Sequence, residues 1–185
     1  RHVIYIKGHR AFVLIDEFVA KPGIQVSYEW NIHTWHRLSC SEEDRTFLIE
    51  SDDSHPLRPR LLGSVMHRQN CFFTQTEGWD PPPQAGISGE ERRNQYHLRF
   101  STGELVEELR LPVVIRTESQ LQRAPSIQWR KDGDANTVVF PDTAVRIPYA
   151  GPAIARISCF GREYTVADWG LTESSSENRY TASPP

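Results

Sequence analysis

The chain has 185 residues, with 21 basic against 24 acidic side chains and a formal charge of -3 at pH 7. That length suits one β-sandwich or barrel, or at most two small domains, with a real hydrophobic core, and one compact unit is expected. Neither charge sign gathers in a block, which argues against nucleic acid as a partner, and no apolar run approaches the ~18 residues that span a bilayer.

In chain order, His2 to Lys7 reads as a strand, Gly8-His9 as a hairpin tip with glycine supplying the positive φ, and Ala11 to Glu17 as a second strand. The chain thus opens at Arg1 inside a strand with neither an initiator Met nor a signal peptide, and a fragment of something longer is expected. Lys21-Pro22-Gly23 is a turn, and Ile24 to His33 then alternates apolar and polar without an error, as a strand with one buried and one wet face must. Further strands are predicted over Arg45–Glu50, Leu61–Met66 and Asn70–Thr76. Gly78 to Arg93 has no periodicity and contains Pro81-Pro82-Pro83, so a long Pro-rich loop is expected there, with Trp79 at its head.

Strands resume at Asn94–Ser101, Glu108–Glu118, Ser126–Lys131, Asn136–Phe140, Thr143–Pro148, Ala153–Phe160 and Glu163–Asp168, with Asp132-Gly133 and Gly161-Arg162 placed as hairpin tips. The expected fold is all-β: an antiparallel β-sandwich of about 10–13 short strands over residues 1–171. Residues 172–185 read as a polar flexible tail. Cys40, Cys71 and Cys159 allow at most one disulfide and match no zinc ribbon or redox spacing, and are expected as packed or free thiols.

No catalytic motif of comparable quality occurs. His33 and His36 would share a face on a helix, but on a strand a spacing of three separates them, so no metal site is expected. Asp132-Gly133-Asp134-Ala135-Asn136 opens like a calcium loop, yet Thr137 and Thr143 stand where that loop needs Gly and a bidentate Glu. No cofactor is implied. What remains is a surface. His33 and Trp35 should lie on the side of Gln25, Ser27, Glu29 and Asn31, away from Ile24, Val26, Tyr28, Trp30 and Ile32. An indole beside hydrogen-bonding side chains is equipment for stacking on a sugar ring. The same face could instead pack on another sheet or domain, and Trp79 admits both readings. Trp129, alternating with Ile127, reads as core.

The opening stretch Arg1-His2-Val3-Ile4-Tyr5-Ile6, the run Ala11 to Ala20 with Asp16 near its end, and Trp30-Asn31-Ile32-His33-Thr34 together resemble the C-terminal β-domain of the heparinase II/III-like polysaccharide lyases. The likeness covers about the first 35 residues. That family joins an α-helical toroid to antiparallel β-sheets and cleaves uronic-acid-containing glycans by β-elimination. Its catalytic Tyr and His and its zinc ligands lie upstream of the segment that Arg1 begins, so the resemblance carries no catalytic residue onto this chain. It implies an accessory β-domain of a secreted or periplasmic bacterial enzyme. Its partners would be the missing N-terminal α-toroid and an acidic polysaccharide, for which the surface reading above offers His33, Trp35 and Trp79 as candidate contacts. Asp16 would accept backbone hydrogen bonds at a turn. An independent carbohydrate-binding module and a plain structural or interaction domain are the competing readings.

Overall fold

The computed structural model describes residues 1–52, 54–66, 71–78, 95–168 and 170–174. By internal contacts the chain divides into two compact units, Arg1–Ala124 and Pro125–Pro185, so the span expected as one sandwich, 1–171, includes strands of both. The described residues form fifteen strands in three antiparallel sheets, with no α-helix. The all-β expectation is met, with more strands than the sequence suggested. Among the described residues no helix is long and apolar enough to cross a membrane.

The first unit holds β1 (His2–Ile6), β2 (Ala11–Val19), β3 (Glu29–Thr34), β4 (Arg37–Ser41), β5 (Thr46–Glu50), β6 (Arg60–Val65), β7 (Cys71–Glu77), β8 (Tyr96–Thr102) and β9 (Glu108–Glu118). Six of these make one sheet in the order β1-β2-β9-β6-β5-β4, and β3-β8-β7 make a second. The two pack as a sandwich. Trp30, Leu98 and Phe100 from the smaller sheet meet Leu38, Phe47, Val65, Leu111 and Val113 from the larger, all nearly excluded from solvent. Strand alternation explains this set: Leu109, Leu111, Val113 and Ile115 are every second residue of β9, and all four join the cluster. The Trp30 ring lies 5.7 Å from that of Phe47. Its indole N–H finds no acceptor among the described residues, so packing alone holds it.

Turn chemistry follows the sequence at three places and departs from it at one. Gly23, Gly133 and Gly161 all take positive φ, and the Ile24 N–H donates to the Lys21 carbonyl at 2.9 Å to close the Pro-Gly turn. Between β1 and β2, however, the left-handed residue is Arg10 (φ 46) and not Gly8. The chain makes a three-residue 3-10 turn over Lys7–His9, and Arg10 closes it by donating its N–H to the Lys7 carbonyl at 3.2 Å.

Asp16 also departs from expectation. It is buried in β2, three residues before that strand ends, and takes the Arg1 guanidinium through Nε at 2.6 Å and Nη2 at 2.8 Å. Its partner is a side chain from the adjacent strand's entry, not a turn backbone. A buried carboxylate inside a paired strand has its neighbouring backbone groups committed to the ladder, so a guanidinium fork is what can compensate it.

The long alternating stretch forms a strand only over Glu29–Thr34, with Val26 bridging Val106 ahead of it. From Gln25 on the faces fall as the alternation requires, with Gln25, Ser27, Glu29, Asn31 and His33 exposed and Trp30 buried, but Ile24, expected on the buried side, lies ahead of the strand and is exposed. All three cysteines are free. Burial pushes the Cys40 and Cys71 thiols up, which favours their protonated form. The Pro-rich segment lies outside the described residues apart from Gly78, as does the polar tail beyond Ser174.

The second unit is a meander in chain order: β10 (Gln128–Asp132), β11 (Ala135–Val139), β12 (Thr143–Pro148), β13 (Ala153–Cys159), β14 (Arg162–Ala167) and β15 (Gly170–Ser174). Its apolar face carries Val138, Val145 and Ile157 in one cross-strand row, all buried, and Trp129 joins that row on the edge strand, half-buried.

One close approach in the first unit is testable. Gly63 of β6 lies directly opposite Phe47 of β5, and a Cβ at Gly63 would overlap the Phe47 ring. Gly63→Ala is expected to cost about 1–3 kcal/mol in urea unfolding through overpacking. With Phe47→Leu in the background the penalty should fall by half or more, because the two residues share one space. An equal penalty in both backgrounds would assign the cost elsewhere.

Candidate functional site

The chain changes sheets between β3 and β4, and only two residues, Trp35 and His36, make the crossing. The His36 N–H donates to Thr34 Oγ1 at 3.1 Å, a local side-chain turn that ends β3. A corner this short leaves no room to fold the indole back, and Trp35 is 65% exposed. Trp35 thus lies past the end of β3, whereas His33 lies within it. It stands at the rim of an open groove of 1110 Å³.

The groove wall is a charge row built by strand register. Arg37 lies opposite Glu50, Glu50 opposite Arg60, and Arg60 opposite Glu118, so four strands present alternating charges in one line. Arg60 is the centre. Its Nε donates to Glu50 Oε1 at 2.8 Å, its Nη2 donates to the same oxygen, and its Nη1 reaches Glu118 Oε1 at 3.2 Å. These carboxylates raise the Arg60 pKa further and fix its fork. Glu118 Oε2 also accepts the Ala124 N–H at 3.3 Å, which ties the chain after β9 to the row. At the outer end Arg37 forms no ion pair among the described residues.

Around this row the groove collects Tyr96, Arg58, Arg123 and Gln120 beside Trp35 and His36. Four guanidiniums stand against the three carboxylates Glu50, Asp52 and Glu118. Asp52 is held below the usual carboxylate range by the Ser54 hydroxyl, with further help from His36. So near a balance does not suit a polyphosphate track, which needs uninterrupted positive charge. It suits a ligand with hydrogen-bonding groups throughout and a charge only here and there. An exposed indole plate next to guanidinium and amide donors can stack on a sugar ring while pairing with its carboxylate.

His33 sits elsewhere, on the wet face of the three-stranded sheet, directly across from His97. The two imidazoles are parallel, 4.1 Å between centroids and 9° between planes. His33 Nδ1 bonds the Gln95 side-chain amide, and His97 Nε2 meets Asn31 Oδ1 at 2.9 Å. His33 does not line the groove, so of the three sequence-selected contacts the groove holds Trp35, His33 is apart, and Trp79 lies outside the described residues. Sequence reasoning missed Arg37, Arg60, Arg123 and Tyr96. Opposite charges at the ends of successive predicted strands, Glu50 and then Arg60, were the available signal.

Arg60→Met is expected to lower stability by about 0.5–1 kcal/mol at low salt, since the fork links two half-exposed carboxylates. The deficit should shrink by at least half in 1 M NaCl, where the screening length falls to ~3 Å. Urea unfolding at both salt levels checks this, and a deficit indifferent to salt would mean that the loss is packing.

Comparison of the sequence with protein-family models and with curated proteins returns no match, so the functional reading rests on the residues and their geometry.

Proposed function

We propose that this chain is a non-catalytic β-domain of a heparinase II/III-like polysaccharide lyase, and that it contacts uronic-acid-containing glycan in the Trp35 groove. The resemblance of residues 1–35 supplies the parentage. The observation that carries the contact is Trp35 itself, an aromatic plate left in solvent on a groove that also holds Arg37, which forms no ion pair among the described residues.

The roles divide by chemistry. Trp35 gives the apolar face of a sugar ring something flat to cover, a contact worth about 0.5–1.5 kcal/mol. Arg37 offers a planar fork for a carboxylate. Arg60 serves differently, because its donors are committed to Glu50 and Glu118, and it holds the wall in shape. Asp52 and Glu118 turn away ligands with charge at every position, which gives selection as well as attraction.

The test is calorimetric titration of the chain with uronate oligosaccharides, with neutral oligosaccharides of equal length as control. Trp35→Ala is expected to weaken uronate binding about three- to tenfold, and Arg37→Gln to weaken the uronate ligand while leaving any neutral binding alone. Uronate affinity unchanged by both substitutions would reject the groove. Incubation with heparin, alginate or chondroitin should yield no unsaturated uronate, and its steady accumulation would reject the non-catalytic assignment.

A further inference from the structure

The polar face of the second unit carries one cross-strand row that runs through all six strands: Arg130, Thr137, Arg146, Arg156, Thr165 and Thr172, each in register with the next. Three guanidiniums and three hydroxyls occupy it, and no carboxylate does. Side chains directly opposite on antiparallel strands have Cβ atoms ~4.5–5.5 Å apart, and like charges so placed destabilise the pair. Arg146 and Arg156 are such a pair.

The carboxylates on this face do not resolve the conflict evenly. Asp134 takes the Arg146 guanidinium. Asp132 is occupied by the Thr137 hydroxyl at 2.6 Å, and Glu163, diagonal to Arg156, accepts from the Ser158 hydroxyl. Arg130 reaches only the neutral Gln128 amide at 3.4 Å. Arg156 is exposed and forms no ion pair among the described residues. The sheet thus holds two arginines in register on adjacent strands, one paired with a carboxylate from the β11 side of β12 and the other with no ion pair among the described residues, while the diagonal acid serves a serine instead.

We propose that Arg146 and Arg156 together form an oxyanion-binding site, taking a sulfate or phosphate group between the two forks. A doubly charged tetrahedral anion supplies acceptors to both guanidiniums at once and cancels their repulsion, whereas Asp134 reaches Arg146 alone. The Thr165 and Arg130 positions extend the row to either side, so the group can be a free ion or an ester on a longer molecule. This site lies on a different sheet from the Trp35 groove and does not depend on how that groove is read.

The experiment uses the whole chain. Arginine Nε–Hε resonances are followed by NMR during titration with sodium sulfate and with sodium phosphate, against chloride at matched ionic strength, and then with a sulfated oligosaccharide. Saturable shifts of the Arg146 and Arg156 signals, absent with chloride and lost in Arg156→Gln, support the site. Tighter saturation by the inorganic ions assigns it to a free anion, and tighter saturation by the oligosaccharide assigns it to an esterified one. Without oxyanion, Arg156→Gln should raise Tm by about 1–3 °C through relief of the like-charge pair, whereas Arg156→Lys should keep the repulsion and lose most of the affinity. Shifts that match those in chloride, or a fall in Tm for Arg156→Gln, would overturn the proposal.

Discussion

The first unit depends on β9 being inserted between β2 and β6. Nine residues of β2 and six of β6 are in register with it, so a strand from the end of the unit completes a sheet begun at its start. It can do so because it reads apolar on both sides over Leu111–Ile115: Leu111 and Val113 enter the sandwich core, while Val114 on the opposite side is also fully buried. Central strands are made of such runs, and edge strands are not. The pairing spans about a hundred residues of chain, so the entropic cost of closing that loop precedes the contacts that reward it. Until β9 docks, the core face of β2 has no central neighbour, and Arg60 has Glu50 but not Glu118.

This hierarchy explains what could be read in the sequence. β9 and β12 were bounded correctly at both ends, because each has a buried apolar core set off by polar flanks or turn residues. The two strands missed altogether, Arg37–Ser41 and Gly170–Ser174, are both sheet edges. An edge strand needs only one partner and is kept polar and short against stray pairing, so its composition imitates a loop. Asp16 failed for a different reason. Its position was noticed, but the fork that satisfies it comes from Arg1 on the neighbouring strand, a relation that exists only once register is set.

The groove was legible to the same limited extent. Trp35 could be singled out as an aromatic at the end of an alternating stretch, yet its assignment to the face of His33 assumed that the strand continued. Thr34 ends it instead, by taking the His36 amide, and the next residues belong to the other sheet. The cationic partners were invisible because nothing in the chain marks Arg37, Glu50, Arg60 and Glu118 as neighbours except three separate registers.

Both proposed binding surfaces are rows across strands, and the contrast between them is chemical. In the first unit the row alternates in sign, and its internal ion pairs fix Arg60 while leaving Arg37 at the rim. In the second the row is all donors, and the repulsion between Arg146 and Arg156 stays partly uncompensated. A sheet is well suited to either device. Strand spacing of ~4.8 Å sets the separation of successive groups, and the backbone ladder prevents charged neighbours from moving apart. A helix or loop carrying the same residues would relax, by rotamer or backbone, until its charges were solvated. Held on a β-ladder, a mismatch of charge persists as a standing affinity for whatever ion cancels it.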